Sequence, residues 1–219
     1  MLTEWILENL SNEVEAVDIG AGDGDSVYQD MLRPRVAQIT GIDPSDGVRK
    51  HQSVDVRVQA TAEEYAANSN RQFDLASAVY VVEHIRHPES FMQAAYDLVQ
   101  PGGHLYLLTP SRHHYFGAIA TIANRLRIDE WILARLRSDE VLHDHHFGIQ
   151  YRLNTRRRIE ALGKSVGFSK VEFRVMEDPG IFAAYLPNSF AWAPRLYAAL
   201  VHRLQAKAFA GTLVARLTR

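Results

Sequence analysis

The stretch Val17-Asp18-Ile19-Gly20-Ala21-Gly22-Asp23-Gly24-Asp25 constrains this chain more than any other. An apolar run from Val14 to Ile19 ends in three alternating glycines and passes into a helix-like segment. That is a strand, a tight turn and a helix start, the setting in which a nucleotide-type ligand lies against bare backbone. Glycine suits such a turn because it adopts left-handed dihedrals and because a Cβ would hold the ligand away. Asp43 follows Gly22 by 21 residues, in Gly41-Ile42-Asp43-Pro44 at the end of a second expected strand, Val36 to Ile42. An acidic side chain there can accept hydrogen bonds from the two hydroxyls of a ribose.

Charge narrows the ligand. A dinucleotide fingerprint would place glycine at position 25, where this chain has Asp25. The segment carries Asp18, Asp23 and Asp25 with no lysine or arginine near. Helix N-termini attract anions, so carboxylates packed there oppose a pyrophosphate. They suit a ligand with an ammonium and a sulfonium, and S-adenosylmethionine has both. Asp23 and Asp25 serve equally well as helix caps. Capping explains neither Asp18 before the glycines nor Asp43 at its distance.

With these residues the chain resembles the class I S-adenosylmethionine-dependent methyltransferases, over roughly residues 14–185. Asp18, Gly20, Gly22 and Gly24 match the family's first motif, and Asp43 its acidic residue after the second strand. The fourth-strand segment Phe73-Asp74-Leu75-Ala76-Ser77-Ala78-Val79-Tyr80-Val81-Val82-Glu83-His84-Ile85 is similar too, as is Leu98-Val99-Gln100-Pro101-Gly102-Gly103-His104-Leu105. The Val-Val-Glu-His-Ile wording looks like the branch that holds ubiquinone-biosynthesis-type and other small-molecule methyltransferases. The resemblance implies that Asp18, Gly20, Ala21, Gly22 and Gly24 hold the methionine end of the cofactor. It implies Asp43 and Pro44 at the ribose, and Val79 and Tyr80 at the sulfonium. In this branch an aspartate usually opens the step beside the adenine; here Ala60-Thr61-Ala62-Glu63 has threonine, which leaves Ala62 and Glu63 to serve the adenine edge.

The expected fold is α/β: a Rossmann-like seven-stranded, mostly parallel sheet with helices on both faces, one antiparallel strand near the end, and a helical cap. Strand patterns fall at Val14–Ile19, Val36–Ile42, Val54–Val58, Phe73–Val79 and His104–Thr109, with helical patterns such as Pro88–Val99 between them. Val171–Val175 and Ile181–Leu186 read as the antiparallel pair that ends the sheet. Residues 1–219 fit a single domain with a sizeable core. The absence of cysteine excludes disulfides, thiolate metal sites and a cysteine nucleophile. No secretory leader pattern opens the sequence and no apolar run is long enough to span a membrane, so a cytoplasmic location is expected.

Residues 1–13 are too few for a helical lid, which assigns the substrate cap to an insertion over residues 111–152. Its helical patterns are Tyr115–Leu126 and Glu130–Leu136, followed by His143-Asp144-His145-His146. Transfer to a hydroxyl calls for a base with a pKa near neutrality, and His84, His113 and His145 are the candidates. Each also has a plain structural reading, as a turn residue or a solvated loop residue. Adjacent histidines rarely converge on one centre, so no metal is expected. The acceptor is expected to be a small molecule rather than nucleic acid, because the net charge is −2 and no Asn/Asp-Pro-Pro-aromatic step follows the fourth strand. Thr155 is a plausible N-cap for a helix over Arg156–Val166, whose Arg156-Arg157-Arg158 run reads as a solvated face or an anion contact.

From Pro179 onward the chain has no acidic residue but five cations, Arg195, Arg203, Lys207, Arg216 and Arg219. Residues 187–219 read as a basic amphipathic helical segment, with Leu196, Leu200 and Leu204 at four-residue spacing. Such a segment packs on its own domain, on a second copy in a homodimer, or peripherally on an anionic membrane. The alternative to an enzyme is a catalytically silent binding or regulatory protein that keeps the fold. The intact glycines and Asp43 oppose that reading.

Overall fold

The computed structural model describes residues 2–24, 28–112, 114, 150–177, 192–204 and 210–219. The elements are α1 (Leu2–Leu7), β1 (Val14–Ile19), α2 (Tyr28–Leu32), β2 (Val36–Asp43), β3 (Val56–Gln59), α3 (Ala62–Asn68), β4 (Phe73–Val79), α4 (Pro88–Leu98), β5 (Val99–Pro110), α5 (Arg156–Val166), β6 (Lys170–Met176), α6 (Trp192–Arg203) and β7 (Thr212–Thr218). The strands form one sheet in the order β3-β2-β1-β4-β5-β7-β6. All neighbours pair in parallel except β7, which runs antiparallel to both β5 and β6.

The inner strands β1, β4, β5 and β7 bury side chains on both faces, as a sheet covered on both sides requires, whereas the edge strands β3 and β6 alternate apolar with polar residues. Val17, Ala76, Ala78, Leu105, Leu107, Ala215 and Leu217 pack against Phe91, Ala95 and Leu98 of α4 and Ile159 and Leu162 of α5. Ala16, Ile39, Leu75, Tyr106 and Val214 face the other way, onto Trp5 and Ile6 of α1 and Tyr28 and Leu32 of α2. Phe91 is 1% exposed, and deleting a phenyl ring from such a site costs about 3–5 kcal/mol. Thr155 caps α5 by accepting from the Arg158 amide at 3.3 Å, and Gly167 ends that helix in the left-handed region.

The C-terminal part of the sheet departs from expectation. The antiparallel partner of β6 is Thr212–Thr218, not Ile181–Leu186, which lies outside the described residues. The basic helical segment expected over 187–219 is therefore helix only at Trp192–Arg203 among the described residues, and its last stretch is a sheet strand. Leu213, Ala215 and Leu217 alternate with Val214 as a two-faced buried strand demands. Two arginines disguise the pattern. Arg216 pairs with Glu172 across the strands and lies over the Trp5 ring at 5.4 Å. Arg219 donates to the carbonyls of Tyr96 (3.1 Å) and Val99 (2.5 Å) at the C-terminal end of α4, where the helix dipole favours a cation. These two cations belong to the fold rather than to a surface patch.

Two smaller shifts occur. β3 starts at Val56 rather than Val54. β5 starts at Val99, so the expected Pro101-Gly102-Gly103 turn is an irregular opening of that strand, with Gly102 at φ +85°. The proposed cap lies outside the described residues over 115–149, as does Asp25.

Candidate active site

Parallel register brings the carboxyl ends of β1, β2 and β4 to one rim: Asp18 pairs with Gly41 on one side and Ser77 on the other. The Gly20 and Ala21 amides leave β1 by donating to the Ile42 carbonyl at 2.7 and 3.1 Å. Gly20, Gly22 and Gly24 all have positive φ, at +74°, +64° and +104°. A Cβ on Gly20 would lie 2.3 Å from Val81 of the loop after β4, whereas one on Gly22 would meet nothing within 4 Å. The turn is therefore wedged shut at Gly20 and open at Gly22. Below Gly24 lies the fully buried His51, whose Nδ1 accepts from the Ser53 amide at 3.2 Å. Burial, and then the nearby Arg57, hold that imidazole below its ordinary pKa.

Asp18 is buried beneath the loop. It accepts from the Tyr28 hydroxyl, from Gln29 Nε2 at 2.7 Å and from Ser77 Oγ at 3.4 Å. Burial outweighs these bonds and pushes its pKa up to about 6. Its oxygens thus tie β1 to α2 and β4, a structural use that sequence reasoning missed. Tyr28, Gln29 and Ser77 carry no motif of their own; the signal available was their position on the elements that flank β1.

Asp43 is also turned inward, at 8% exposure. Oδ2 accepts from the Gly22 amide at 3.0 Å, and Oδ1 accepts from the Ser45 amide at 2.8 Å and the Ser45 hydroxyl at 2.5 Å. A carboxylate offers about four acceptor positions, so roughly one remains for a ligand. Pro44 beside it is exposed, and its carbonyl accepts from Gln59 Nε2 at 3.3 Å.

At the end of β3, Thr61 is the N-cap of α3. It accepts from the Glu64 amide at 3.2 Å while its own amide donates to Glu64 Oε2 at 2.8 Å. This reciprocal capping box explains a threonine here. Ala62 is buried and Glu63 half-buried in the first turn of that helix.

Val79, half-buried, ends β4. Tyr80 next to it is 42% exposed and sits at φ +57°, a conformation that costs a non-glycine residue about 1–2 kcal/mol. Its amide donates to the Leu108 carbonyl at 2.9 Å. The His84 amide then closes a turn onto the Val81 carbonyl at 2.9 Å, which sets partly buried His84 in the loop that covers Gly20. His113 and His145 lie outside the described residues, as does the rest of the His143–His146 run. Among the described residues no three histidines or acids are grouped to hold a metal.

Behind this rim runs a buried polar chain. The Thr109 hydroxyl donates to Glu83 Oε2 at 3.0 Å and accepts from Asn154 Nδ2, which also reaches the Pro110 carbonyl at 3.2 Å. The Gln150 and Tyr151 amides both donate to the Glu83 carbonyl, at 2.7 and 3.1 Å. Burial pushes the Glu83 carboxyl up to about 7. This chain locks together the segments after β4, after β5 and before α5. Thr109 is expected at the rim from its place at the end of the fifth strand, but its link to Glu83 and Asn154 is not, since polar side chains on separate elements announce nothing until the sheet joins them.

The family described as "Methyltransferase domain" matches residues 3–172. The chain belongs to that family. A ubiquinone biosynthesis O-methyltransferase of Stutzerimonas stutzeri is 35% identical over 128 residues, covering 54% of each chain. A protein of the same description from Pseudomonas aeruginosa is 35% identical over 108 residues, 45% of each. The chain thus spans about half the length of these relatives. Among solved methyltransferases, a SAM-dependent enzyme from Archaeoglobus fulgidus superposes with TM-score 0.64 at 12% identity, covering 100% of this chain and 93% of that one. Phosphoethanolamine N-methyltransferase 2 of Haemonchus contortus, bound to S-adenosyl-L-methionine, gives 0.56 at 16%, covering 99% and 52%. These superpositions establish the fold.

Proposed function

We propose that this chain is an S-adenosylmethionine-dependent methyltransferase acting on a small molecule, most simply at a hydroxyl oxygen. The observation that carries the reading is the turn of left-handed glycines, open at Gly22 and tied through the Gly22 amide to Asp43. A side chain would fill that cradle, and bare backbone leaves it free for a ligand. When bound, the cofactor supplies a methyl group made electrophilic by its sulfonium. Gly20, Ala21, Gly22 and Gly24 would border its methionine end, with Asp18 setting their position from beneath. Asp43 has about one acceptor place left for a ribose hydroxyl, and Pro44 flanks it. Ala62 and Glu63 would line the adenine edge, and Val79 and Tyr80 the reacting centre. The strained, exposed Tyr80 fits a place where a side chain is aimed at a ligand. The rim residues hold acceptor and methyl group in line, which supplies much of the acceleration. A histidine, His84 or one of His113 and His145, would take the hydroxyl proton. The O-methyltransferase description of the relatives supports oxygen as the atom methylated.

A peripheral membrane contact, at the cytoplasmic side, completes the proposal. α6 and the residue that follows it expose Trp192, Leu196, Leu200 and Leu204, at 59%, 53%, 46% and 70%, with Arg195 and Arg203 beside them. Pro194 and Val201 are buried on its other face. Such a stripe flanked by cations suits an anionic lipid surface. Among the described residues no helix is long and apolar enough to cross a membrane. Sedimentation with anionic but not neutral vesicles, lost in Leu196→Ser/Leu200→Ser, is expected; concentration-dependent dimerisation lost in that variant would assign the stripe to a second copy instead.

The cofactor is tested by calorimetric titration with S-adenosylmethionine, S-adenosylhomocysteine and reduced nicotinamide cofactors. Micromolar binding of the two adenosyl compounds alone is expected. Silence from both, in folded protein, would put the silent binding protein first.

A further inference from the structure

A cavity of about 540 Å³ opens beside the rim, between the start of α4, the exit of β5 and the start of α5. Arg86, Arg112, Arg152 and Arg158 line it, against a single acid, Glu89. In a chain of net charge −2 this is a local concentration of positive charge. Glu89 is engaged by Arg158, and Arg152 donates to the Arg86 carbonyl at 3.0 Å. The guanidinium groups of Arg86 and Arg112 have no acidic partner among the described residues.

The backbone adds to this field. Two eleven-residue helices, α4 and α5, begin at the cavity: His87 and Pro88 of α4 and Thr155 and Arg158 of α5 are in its wall. Thr155 caps α5; the N-cap of α4, His87, makes no side-chain cap bond, and Glu89 in the first turn answers part of that dipole by accepting from its own amide. Helix N-termini and guanidinium forks are the two devices that most suit carboxylate and phosphate oxygens. The cavity wall also includes Tyr151, held at φ +48° while its amide donates to Glu83, so the pocket is fastened to the loop that carries His84.

We propose that this cavity binds an anionic group, phosphate or carboxylate, of the methyl acceptor; as a statement about the acceptor it rests on the methyltransferase reading above. Arg86 and Arg112 grip the anion, Arg152 supports it, and the acceptor's reacting group projects toward the rim. Both arginines follow the carboxyl ends of the central strands, Arg86 seven residues after Val79 and Arg112 two after Pro110.

The test titrates the protein, saturated with S-adenosylhomocysteine, with phenol, benzoate and phenyl phosphate. Benzoate or phenyl phosphate is expected to bind at least roughly tenfold more tightly than phenol. Which of the two wins assigns carboxylate or phosphate. The double variant Arg86→Gln/Arg112→Gln should lose that advantage yet bind S-adenosylhomocysteine as the wild type does. Equal affinity for all three compounds, or an unchanged preference in the double variant, overturns the proposal. Failure of the adenosyl compound to bind wild-type protein overturns the methyltransferase reading instead, and the three titrations, repeated without it, still decide whether the cavity holds anions.

Discussion

Gly22→Ala isolates the cradle from the strain that any substitution there brings. At φ +64° an alanine costs about 1–2 kcal/mol. At roughly 2–4 °C per kcal/mol for a domain of this size, the melting temperature should fall by about 2–8 °C. Gly102 supplies the control. It too has positive φ, +85°, and an added Cβ there also meets nothing within 4 Å. It lies at the opposite, amino-terminal rim, where its amide donates to the Arg219 carbonyl. Gly102→Ala should therefore lose similar stability and leave cofactor binding intact. In Gly22→Ala the methyl group occupies the space that the ligand needs against the backbone. Affinity for S-adenosylhomocysteine should drop by about a hundredfold or more, on the order of 3 kcal/mol. Calorimetric titration and thermal melting of both variants read the two effects separately. Binding by Gly22→Ala within threefold of wild type, or equal weakening in Gly102→Ala, would refute a cofactor cradle at this turn.

Three other perturbations test the supports of the site. A glutamate carboxyl ordinarily ionises near 4.5, but in the fold Glu83 does so near 7. Between those values it is protonated when folded and ionised when unfolded, so the stability it lends is full below pH 4.5 and is lost as pH rises through 7, on the order of 3 kcal/mol. Glu83→Gln still accepts from Thr109 and does not titrate; urea unfolding at pH 5 and pH 8 should show the variant gaining on wild type at the higher pH, and a constant gap would contradict the assignment. Thr61→Ala removes the α3 capping box and should cost about 1 kcal/mol by urea unfolding, whereas Thr61→Asp should retain most of it; no difference between the two would show that the cap contributes nothing. Removing Thr212–Thr218 takes a strand out of the sheet interior and should leave the protein without a cooperative melt, and a truncated chain that unfolds like wild type would contradict the strand order.

The strands whose pattern is local were legible in sequence. β1, β2 and β4 are short apolar runs bounded by glycine, aspartate or tyrosine, and they lie where the pattern puts them. β7 was not, because its face toward α1 carries Arg216, which reads as solvent-exposed until Glu172 and Trp5 are placed beside it. The cofactor rim was legible as residue positions but not as contacts. Asp18 and Asp43 read as ligand-facing carboxylates, and the fold turns both inward onto donors of the chain itself. The tyrosine, glutamine and serine partners of Asp18 arrive from 10 to 59 residues away, beyond the reach of any motif. The arginine-lined cavity was half legible: Arg158 stood out in its run, but Arg86 and Arg112 come together with it only when β4, β5 and α5 share one rim.

The place of β7 in the sheet has a consequence for how the protein is made. β5 is complete at Pro110 and β6 at Met176, yet the slot between them is filled only by Thr212–Thr218, and His104 waits 114 residues for its partner Thr218. Until the ribosome has delivered that strand, β5 presents an open edge and β6 has nowhere to dock. Pairing over such separations is slow because the loop must close before any contact rewards it. The half of the domain around the glycine turn can assemble early, while β6 must be kept from pairing with a foreign strand. β7 acts as a keystone, and the nascent chain is most exposed to aggregation just before it arrives.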